Sequence, residues 1–331
     1  MSERADTRVF AGIDEAGLGP LLGPLTLGWS AFRVPRGRVD LWETLGEVVS
    51  RHPSEDGSRL VVADSKKVFT RNPRGARRLE ATALAFLAQV DAFGRWPSTP
   101  GELWSLAPEE LQPNGAVLDA HPWYARMPAT LPAHVERPAM EEWTARLRAS
   151  LEARGVRLVD AGVRAVPAGE LNDSFQVTEN KATTQWSITS RILGWLWRRH
   201  ADEGLSVFVD RLGGRRRYAP LLRELFPDGR IEVVAEERDH GEYRVRSGSG
   251  RMRILFAERG EERSFSVALA SCLAKYAREL CMEGFNGFFA ELQPGLKATA
   301  GYTSDGRRWL ADAEPALELA GVPLSRVVRQ R

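Results

Sequence analysis

Cysteine is almost missing from this chain of 331 residues, which has only Cys272 and Cys281. Neither sits in a C-x-x-C pair and the five histidines are scattered, which argues against a thiolate zinc site. Two cysteines in a chain of this length argue against a disulfide framework and point to a reducing compartment. Excess charge is also missing: the formal net charge is +2, so no global cationic field exists and a nucleic-acid site has to be a local patch. Lysine is scarce, at five of 46 basic residues (66, 67, 181, 275 and 297), an arginine bias of a kind that more often reflects genome composition than function. The longest uncharged apolar run, Pro20 to Phe32, is too short to span a bilayer. The charged start, Met1 to Phe10, has no apolar h-region of a signal peptide. There is no internal repeat and no low-complexity tract. These absences lead us to expect a soluble, cytoplasmic protein, monomeric and without membrane partners.

What is present suggests an α/β chain. Val9–Ile13 is a short apolar run ending in Asp14-Glu15 and a glycine-rich stretch, which reads as a strand feeding a turn. Leu21–Val34 fits one or two further strands, and Arg59–Ala63 is another short run. The spacing predicts helices over 76–92, 141–154 (closed by Gly155), 183–200 and 266–292. Strands are expected at Val156–Val166, Leu205–Val209 and Ile231–Ala235. The short helix Tyr218–Phe226 between the last two suggests a strand–helix–strand unit with a parallel pair. Glu242–Arg246 and Met252–Phe256 flank Ser247-Gly248-Ser249-Gly250 as a hairpin. Residues 96–138 hold eight of the 19 prolines and read as an irregular insertion or small subdomain. A mere linker is excluded there, because Trp104, Trp123 and Tyr124 need partners. The tail to Arg331 is partly helical and basic at its end.

Asp14-Glu15, Asp210 and Glu261-Glu262 fall where apolar strands end or a helix begins. Carboxylates at strand ends can converge at one edge of an α/β sheet, where open α/β folds place ligands. Crowded carboxylates repel unless cations fill the gap, and hard oxygen ligands select Mg²⁺ or Mn²⁺. Two such ions activate water and stabilise the leaving oxygen in phosphodiester cleavage. On spacing alone, solvated loop ends remain the commoner explanation.

Five motifs in order add to this. Ala11-Gly12-Ile13-Asp14-Glu15-Ala16-Gly17-Leu18-Gly19-Pro20-Leu21-Leu22-Gly23-Pro24 closely resembles the opening motif of ribonucleases HII and HIII. Asp64-Ser65-Lys66-Lys67 resembles that family's D-S-K motif, and Val209-Asp210 its third strand-end carboxylate. Gly260-Glu261, followed by Ser264-Phe265-Ser266-Val267-Ala268-Leu269-Ala270-Ser271-Cys272-Leu273-Ala274-Lys275, is similar to its acid-plus-helix pattern. Gly301-Tyr302-Thr303 is similar to its G-Y-x-T. The opening motif is specific; D-S-K-K or G-Y-T alone is weak. Nothing in residues 95–150 has a counterpart.

The resemblance implies a ribonuclease H-like fold: a mixed central sheet flanked by helices, with a helical C-terminal part and the inserted segment at about 95–150, all within one catalytic domain. It implies that Asp14, Glu15, Asp210 and Glu261 form the metal-binding and catalytic set, with Glu262 an adjacent alternative. It further implies that Gly17, Leu18, Gly19, Ser65, Lys66, Lys67 and Tyr302 meet the substrate. That substrate would be an RNA–DNA hybrid or ribonucleotide-containing duplex DNA, cut by two-metal-ion hydrolysis in Mg²⁺ or Mn²⁺. Glu at 261 and the long spacing from Asp210 lean toward the HIII branch, whereas that branch's extra N-terminal domain has no room before a motif starting at residue 11. Two departures stand out. Leu18 replaces the usual Arg or Lys between the glycines, and Arg211-Leu212 follow Asp210 in place of the usual pair. They motivate an alternative, a catalytically impaired hybrid-binding protein. Of the remaining residues, Arg215-Arg216-Arg217 read first as a solvated face and only second as an extension of the basic surface, Lys275 as neutralising the site or the substrate, and Cys272 and Cys281 as helix packing.

Overall fold

The computed structural model describes residues 7–37, 39–54, 57–90, 94–113, 115–178 and 180–330. The chain opens with a long β-hairpin, β1 (Thr7–Ala16) and β2 (Leu25–Pro35), paired antiparallel from Thr7↔Pro35 to Ala16↔Thr26. A short helix α1 (Leu41–Thr44) and a two-residue strand pair, β3 (Val49–Ser50) with β4 (Leu60–Val61), follow. Next come α2 (Ser65–Val68) and α3 (Pro73–Leu87). The predicted end of α3 at residue 92 lies outside the described residues.

The proline-rich stretch folds into short helical pieces, α4 (Pro100–Ser105), α5 (Gly115–Asp119) and two 3₁₀ turns, Glu109–Leu111 and Pro122–Arg126. Proline at the first helical position suits such short pieces, because that N–H has no intrahelical partner anyway. Trp104, Trp123 and Tyr124 are buried, and so is His121. Trp123 packs on Phe285, Phe288 and Phe289 of the long C-terminal helix, so this stretch is part of the packed core. It leads through α6 (Arg137–Ala153) and Gly155, at φ +62°, into β5 (Arg157–Val166).

Helix α7 (Ala168–Thr178) was not legible in the sequence, while α8 (Lys181–His200) was. Beyond them lie β6 (Leu205–Asp210), α9 (Ala219–Leu225), β7 (Arg230–Glu236), β8 (His240–Ser247) and β9 (Gly250–Ala257). Four-residue α10 (Gly260–Arg263) and 28-residue α11 (Phe265–Leu292) follow. The chain closes through α12 (Thr303–Asp312), α13 (Glu314–Ala320) and α14 (Leu324–Val327).

Seven strands form one mixed sheet in the order β5-β2-β1-β6-β9-β8-β7. The pairs β5/β2, β2/β1, β9/β8 and β8/β7 are antiparallel, and β1/β6 and β6/β9 are parallel. With helices on both faces and a helical C-terminal part, this is the ribonuclease H-like architecture expected. One expectation fails: β6 and β7 are not a parallel pair. Two strands, β9 and β8, separate them, because the later hairpin folds back and inserts β9 beside β6. Leu21–Val34 resolves into the single strand β2, with Leu22 bridging to Val328.

Alternation splits the core in two. One face of the sheet, with Val9, Ala11, Ile13, Val207, Val209, Ile254 and Phe256, packs against Ile192, Leu193 and Leu196 of α8. On the other face α11 crosses β1 and β2 directly. It comes so close because Gly12 and Gly28 have no side chain; a Cβ at either would collide with the backbone of Ser266–Val267 or Ala270. That contact places the start of α11 beside the ends of β1 and β6. Among the described residues, no helix is long and apolar enough to cross a membrane.

Candidate active site

The parallel register sets Ile13 beside Val209, so Asp14 and Asp210 stand level on neighbouring strands, on the face that α11 covers. Oxygen atoms of Asp14, Glu15 and Asp210 all lie within 4.8 Å of one another. Asp14 is 8% exposed, and Glu15 and Asp210 are half-buried. Burial, and then the charges of Glu15 and Asp210, hold the Asp14 carboxyl well above its ordinary range. The same two causes, burial and then Asp210, push Glu15 up to about 8. Burial raises Asp210 as well, while the N–H groups of Gly260 and Arg211 and the charge of Lys66 draw it back. The Gly260 N–H donates to Asp210 Oδ1 at 3.1 Å, which ties the start of α10 to the end of β6.

Glu261 stands beside this trio and not within it. It is half-buried, raised by burial and then by Asp210 and Asp64, and its charge in turn bears on Glu15. Glu262 turns the other way: it is exposed and its carboxylate lies 3.9 Å from Lys67 Nζ. Of the two adjacent acids, only Glu261 faces the trio. Between these residues opens a cleft lined by Trp42, Arg51, Asp64, Lys67, Glu261 and Glu262. Asp64 caps α2, accepting from the Lys66 N–H at 2.9 Å, so Ser65 is buried while Lys66 and Lys67 project outward.

The glycine loop, residues 17–24, is held from below. Gly17 has φ +86°, and a Cβ there would run into Arg278 Nε. Arg278 is buried and donates to the carbonyls of Leu22 at 3.3 Å and Ala300 at 3.1 Å. Arg329 donates through Nε to the Gly23 carbonyl at 2.7 Å and through Nη1 to that of Gly17. Burial, and then Arg278, lower the Arg329 guanidinium to about 9. The Gly301 carbonyl accepts from the N–H groups of Leu21 at 2.7 Å and Leu22 at 3.1 Å. Leu18 is 39% exposed and Gly19 faces open space, so the loop presents backbone and one apolar side chain. Tyr302 is 45% exposed, its ring 5.9 Å from the Arg278 guanidinium carbon. It flanks the same loop through Gly301.

Four residues of this arrangement were given no role from the sequence, although Ser271 lies within the acid-plus-helix pattern. Gln185 on α8 faces the Glu15 carboxylate, and Ser271 on α11 faces Asp14, each favouring the charged form. Arg278 and Arg329 brace the loop. Lys275 and Arg217 each meet an acid. Lys275 pairs with Glu279 at 2.5 Å, one helical turn along α11, and lies 4.7 Å from the Phe69 ring, so it is engaged away from the trio. Arg217 approaches Glu236 at 3.8 Å, which partly offsets the basic run 215–217. Cys272 and Cys281 are buried and unpaired in α11, as expected. After Asp210, Arg211 pairs with Glu258 at 2.9 Å and Leu212 is buried. A second group, Glu237, Asp239 and His240, also brings ligand atoms within 4.8 Å of one another. It lies at the exposed turn between β7 and β8, with Asp239 and His240 paired at 3.0 Å.

Solved ribonucleases of types HII and HIII are similar to this chain along most of its length. The RNase HII of the PCNA:RNase HII complex from Archaeoglobus fulgidus is 15% identical, with 98% of this chain and 94% of that one covered and a TM-score of 0.42. Ribonuclease H2 from Pyrococcus horikoshii OT3 is 15% identical, with 96% and 92% covered and a TM-score of 0.39. Bst-RNase HIII in complex with Mn²⁺ is also 15% identical, with 95% and 70% covered and a TM-score of 0.41. No family model matches the chain, and no curated protein does.

Proposed function

We propose that this protein is a divalent-metal-dependent endoribonuclease. It hydrolyses the RNA strand of RNA–DNA hybrids, or the bond on the 5′ side of a ribonucleotide embedded in duplex DNA, leaving 3′-hydroxyl and 5′-phosphate ends. The observation that carries this reading is the convergence of Asp14, Glu15 and Asp210 at adjoining strand ends, three carboxylates drawn together.

The donor chemistry fits a hard divalent ion. Oxygen-only ligands, protonated more readily than usual because they are buried and then because they repel one another, gain most from a cation. Asp14, Glu15 and Asp210, joined by Glu261, would hold Mg²⁺ or Mn²⁺. When bound, such ions supply an activated water and stabilisation of the leaving oxygen. Ser271 beside Asp14 and Gln185 beside Glu15 offset part of the upward shift of these two carboxyls. Lys66 and Lys67 face the phosphates across the cleft. The backbone of Gly17–Gly19 meets the ribose, whose 2′-hydroxyl distinguishes RNA from DNA. Tyr302 offers a ring for stacking on the sugar or base, a contact worth about 1–3 kcal/mol in single-strand recognition.

A second reading, a hybrid-binding protein with impaired turnover, draws on Leu18 and on Glu261 standing outside the trio. Hybrid binding without cleavage in either metal would favour it.

The test is Asp14→Asn. Metal-dependent cleavage of a labelled hybrid should fall by about a hundredfold or more, the scale on which losing one charge-stabilising group costs an enzyme. Removing one of three repelling carboxylates should leave the metal-free protein melting no lower than the parent. Unchanged cleavage by a folded Asp14→Asn protein would end this reading.

A further inference from the structure

The two halves of the sheet are covered unequally on the active-site side. Helix α11 lies over β1 and β2. Beyond β6, on the same face, the side chains of Arg230, Arg244, Arg246, Arg251 and Arg253 are exposed. The register makes rows of them. Arg230 on β7 stands opposite Arg246 on β8, which stands opposite Arg251 on β9. In the next row Glu232, Arg244 and Arg253 are neighbours, followed by Ser206 of β6. Acids partly balance this second row: Arg244 meets Glu232 at 3.2 Å, and Arg253 grips Glu242 through two hydrogen bonds of 2.8 and 2.7 Å. Arg230, Arg246 and Arg251 have no ion pair among the described residues.

Like charges directly opposite on a sheet destabilise it. Three cations side by side, beside acids already engaged by the neighbouring row, are therefore a cost that an external anion would relieve. The row lies on the same face as the carboxylates. Phe208 and Asp210 share that face of β6, and Ala257 is the register partner of Asp210. Arg251 is six residues back from Ala257 along β9, about 20 Å at roughly 3.4 Å per residue. On a duplex, 20 Å is about six base pairs at 3.4 Å each. A groove lined by Phe208, Leu255, Arg51, Arg253 and Arg263 reaches Arg253 of the second row and shares Arg51 with the cleft beside Glu261. Asp40 also lines it and lies 3.9 Å from Arg51, so the groove's excess charge stays positive.

We propose that the open face of β7, β8 and β9 is a second nucleic-acid contact, where Arg230, Arg246 and Arg251 grip backbone phosphates of the bound duplex about six base pairs from the cleavage point. This rests on the function proposed above and adds a surface that the five motifs do not contain. The occupant is a polyanion, because the row offers only guanidinium groups. It is a duplex because the row is separated from the acids by a span that a stiff double helix crosses without bending.

The experiment compares Arg246→Ser/Arg251→Ser with Arg199→Ser/Arg223→Ser, which removes two exposed arginines from helices on the opposite face. Both pairs are made in an Asp14→Asn background, without divalent metal, so that cleavage does not interfere with binding. Binding of a hybrid of about 24 base pairs is measured against salt, with each lost phosphate contact expected to reduce the logarithmic slope by about 0.9. The sheet-face pair should reduce the slope by about 1.8 and the helix pair should leave it unchanged. With a hybrid of about 10 base pairs, reaching about five to either side of a central ribonucleotide, the two pairs should bind alike. Removing adjacent like charges should leave the melting temperature of the sheet-face pair unchanged or higher. Equal slopes for the two pairs on the long hybrid, with the parent still binding it, would overturn this surface while leaving the active-site reading intact. No hybrid binding by the parent would overturn both.

Discussion

Arg278 lies directly beneath Gly17, in the space where any larger residue would place its Cβ. The φ of +86° at Gly17 adds a second penalty for other residues, about 1–2 kcal/mol. Gly19, two residues on, faces open space. The two glycines therefore serve different ends, the first the shape of the loop and the second access to it. Gly17→Ala should lower stability by more than about 1 kcal/mol in denaturant titration, with cleavage lost alongside. Gly19→Ala should stay within about 0.5 kcal/mol of the parent and still cleave more slowly. Equal stability loss in both variants would contradict this division.

Leu18 is exposed at the loop apex, with no side-chain cation of its own to offer a phosphate. Leu18→Arg adds one without disturbing a packed side chain. Hybrid affinity should rise, and the salt slope should steepen by about 0.9, the value of one added phosphate contact. An unchanged slope would mean that the apex does not approach the backbone.

Glu261 and Glu262 are neighbours with opposite surroundings, one facing Asp210 and the other Lys67. Glu261→Gln should weaken metal-dependent turnover and raise the metal concentration needed for half-maximal rate. Glu262→Gln should leave metal dependence unchanged and alter KM at most, since it frees Lys67. The reverse pattern would reassign the fourth carboxylate.

Asp305 anchors the turn that carries Gly301 and Tyr302, accepting from Thr299 Oγ1 at 2.7 Å and the Ala300 N–H at 2.8 Å. Burial pushes its carboxyl up, but hydrogen bonds from Arg308, Thr299 and the Ala300 N–H outweigh that and bring it down to about 2. A carboxyl depressed by folding adds stability above its ordinary value near 3.8, and loses it as pH falls toward 2. Hydrogen exchange in residues 299–306 should accelerate across that window in the parent. In Asp305→Asn it should already be fast at neutral pH and change little with acid. Matching pH profiles would remove Asp305 from this role.

The sequence revealed the parts of this site that are local. Asp14 and Asp210 end apolar runs, and the strands β1, β5, β6 and the β8–β9 hairpin follow from alternation and turn chemistry. The order of the strands was not local information. Whether β7 or β9 sits beside β6 depends on which strand buries more against α8, and Ile254 and Phe256 win over the half-exposed β7. Arg278 and Arg329 were invisible for a related reason. A buried arginine bracing carbonyls looks, in sequence, like any other charge on a helix or tail. Trp123 and Tyr124 gave a correct hint that residues 96–138 had partners, though proline density hid the short helices.

The most direct test of the central claim uses two labelled duplexes, one with a single embedded ribonucleotide and one with an RNA tract, each incubated with Mg²⁺ and with Mn²⁺. The account predicts cleavage of at least one, with 5′-phosphate ends, abolished by Asp210→Asn. Cleavage of the single-ribonucleotide duplex would point to HII-like action, and cleavage of the tract alone to HIII-like action. No cleavage of either duplex by the folded protein in either metal would contradict the account and leave a hybrid-binding protein in its place.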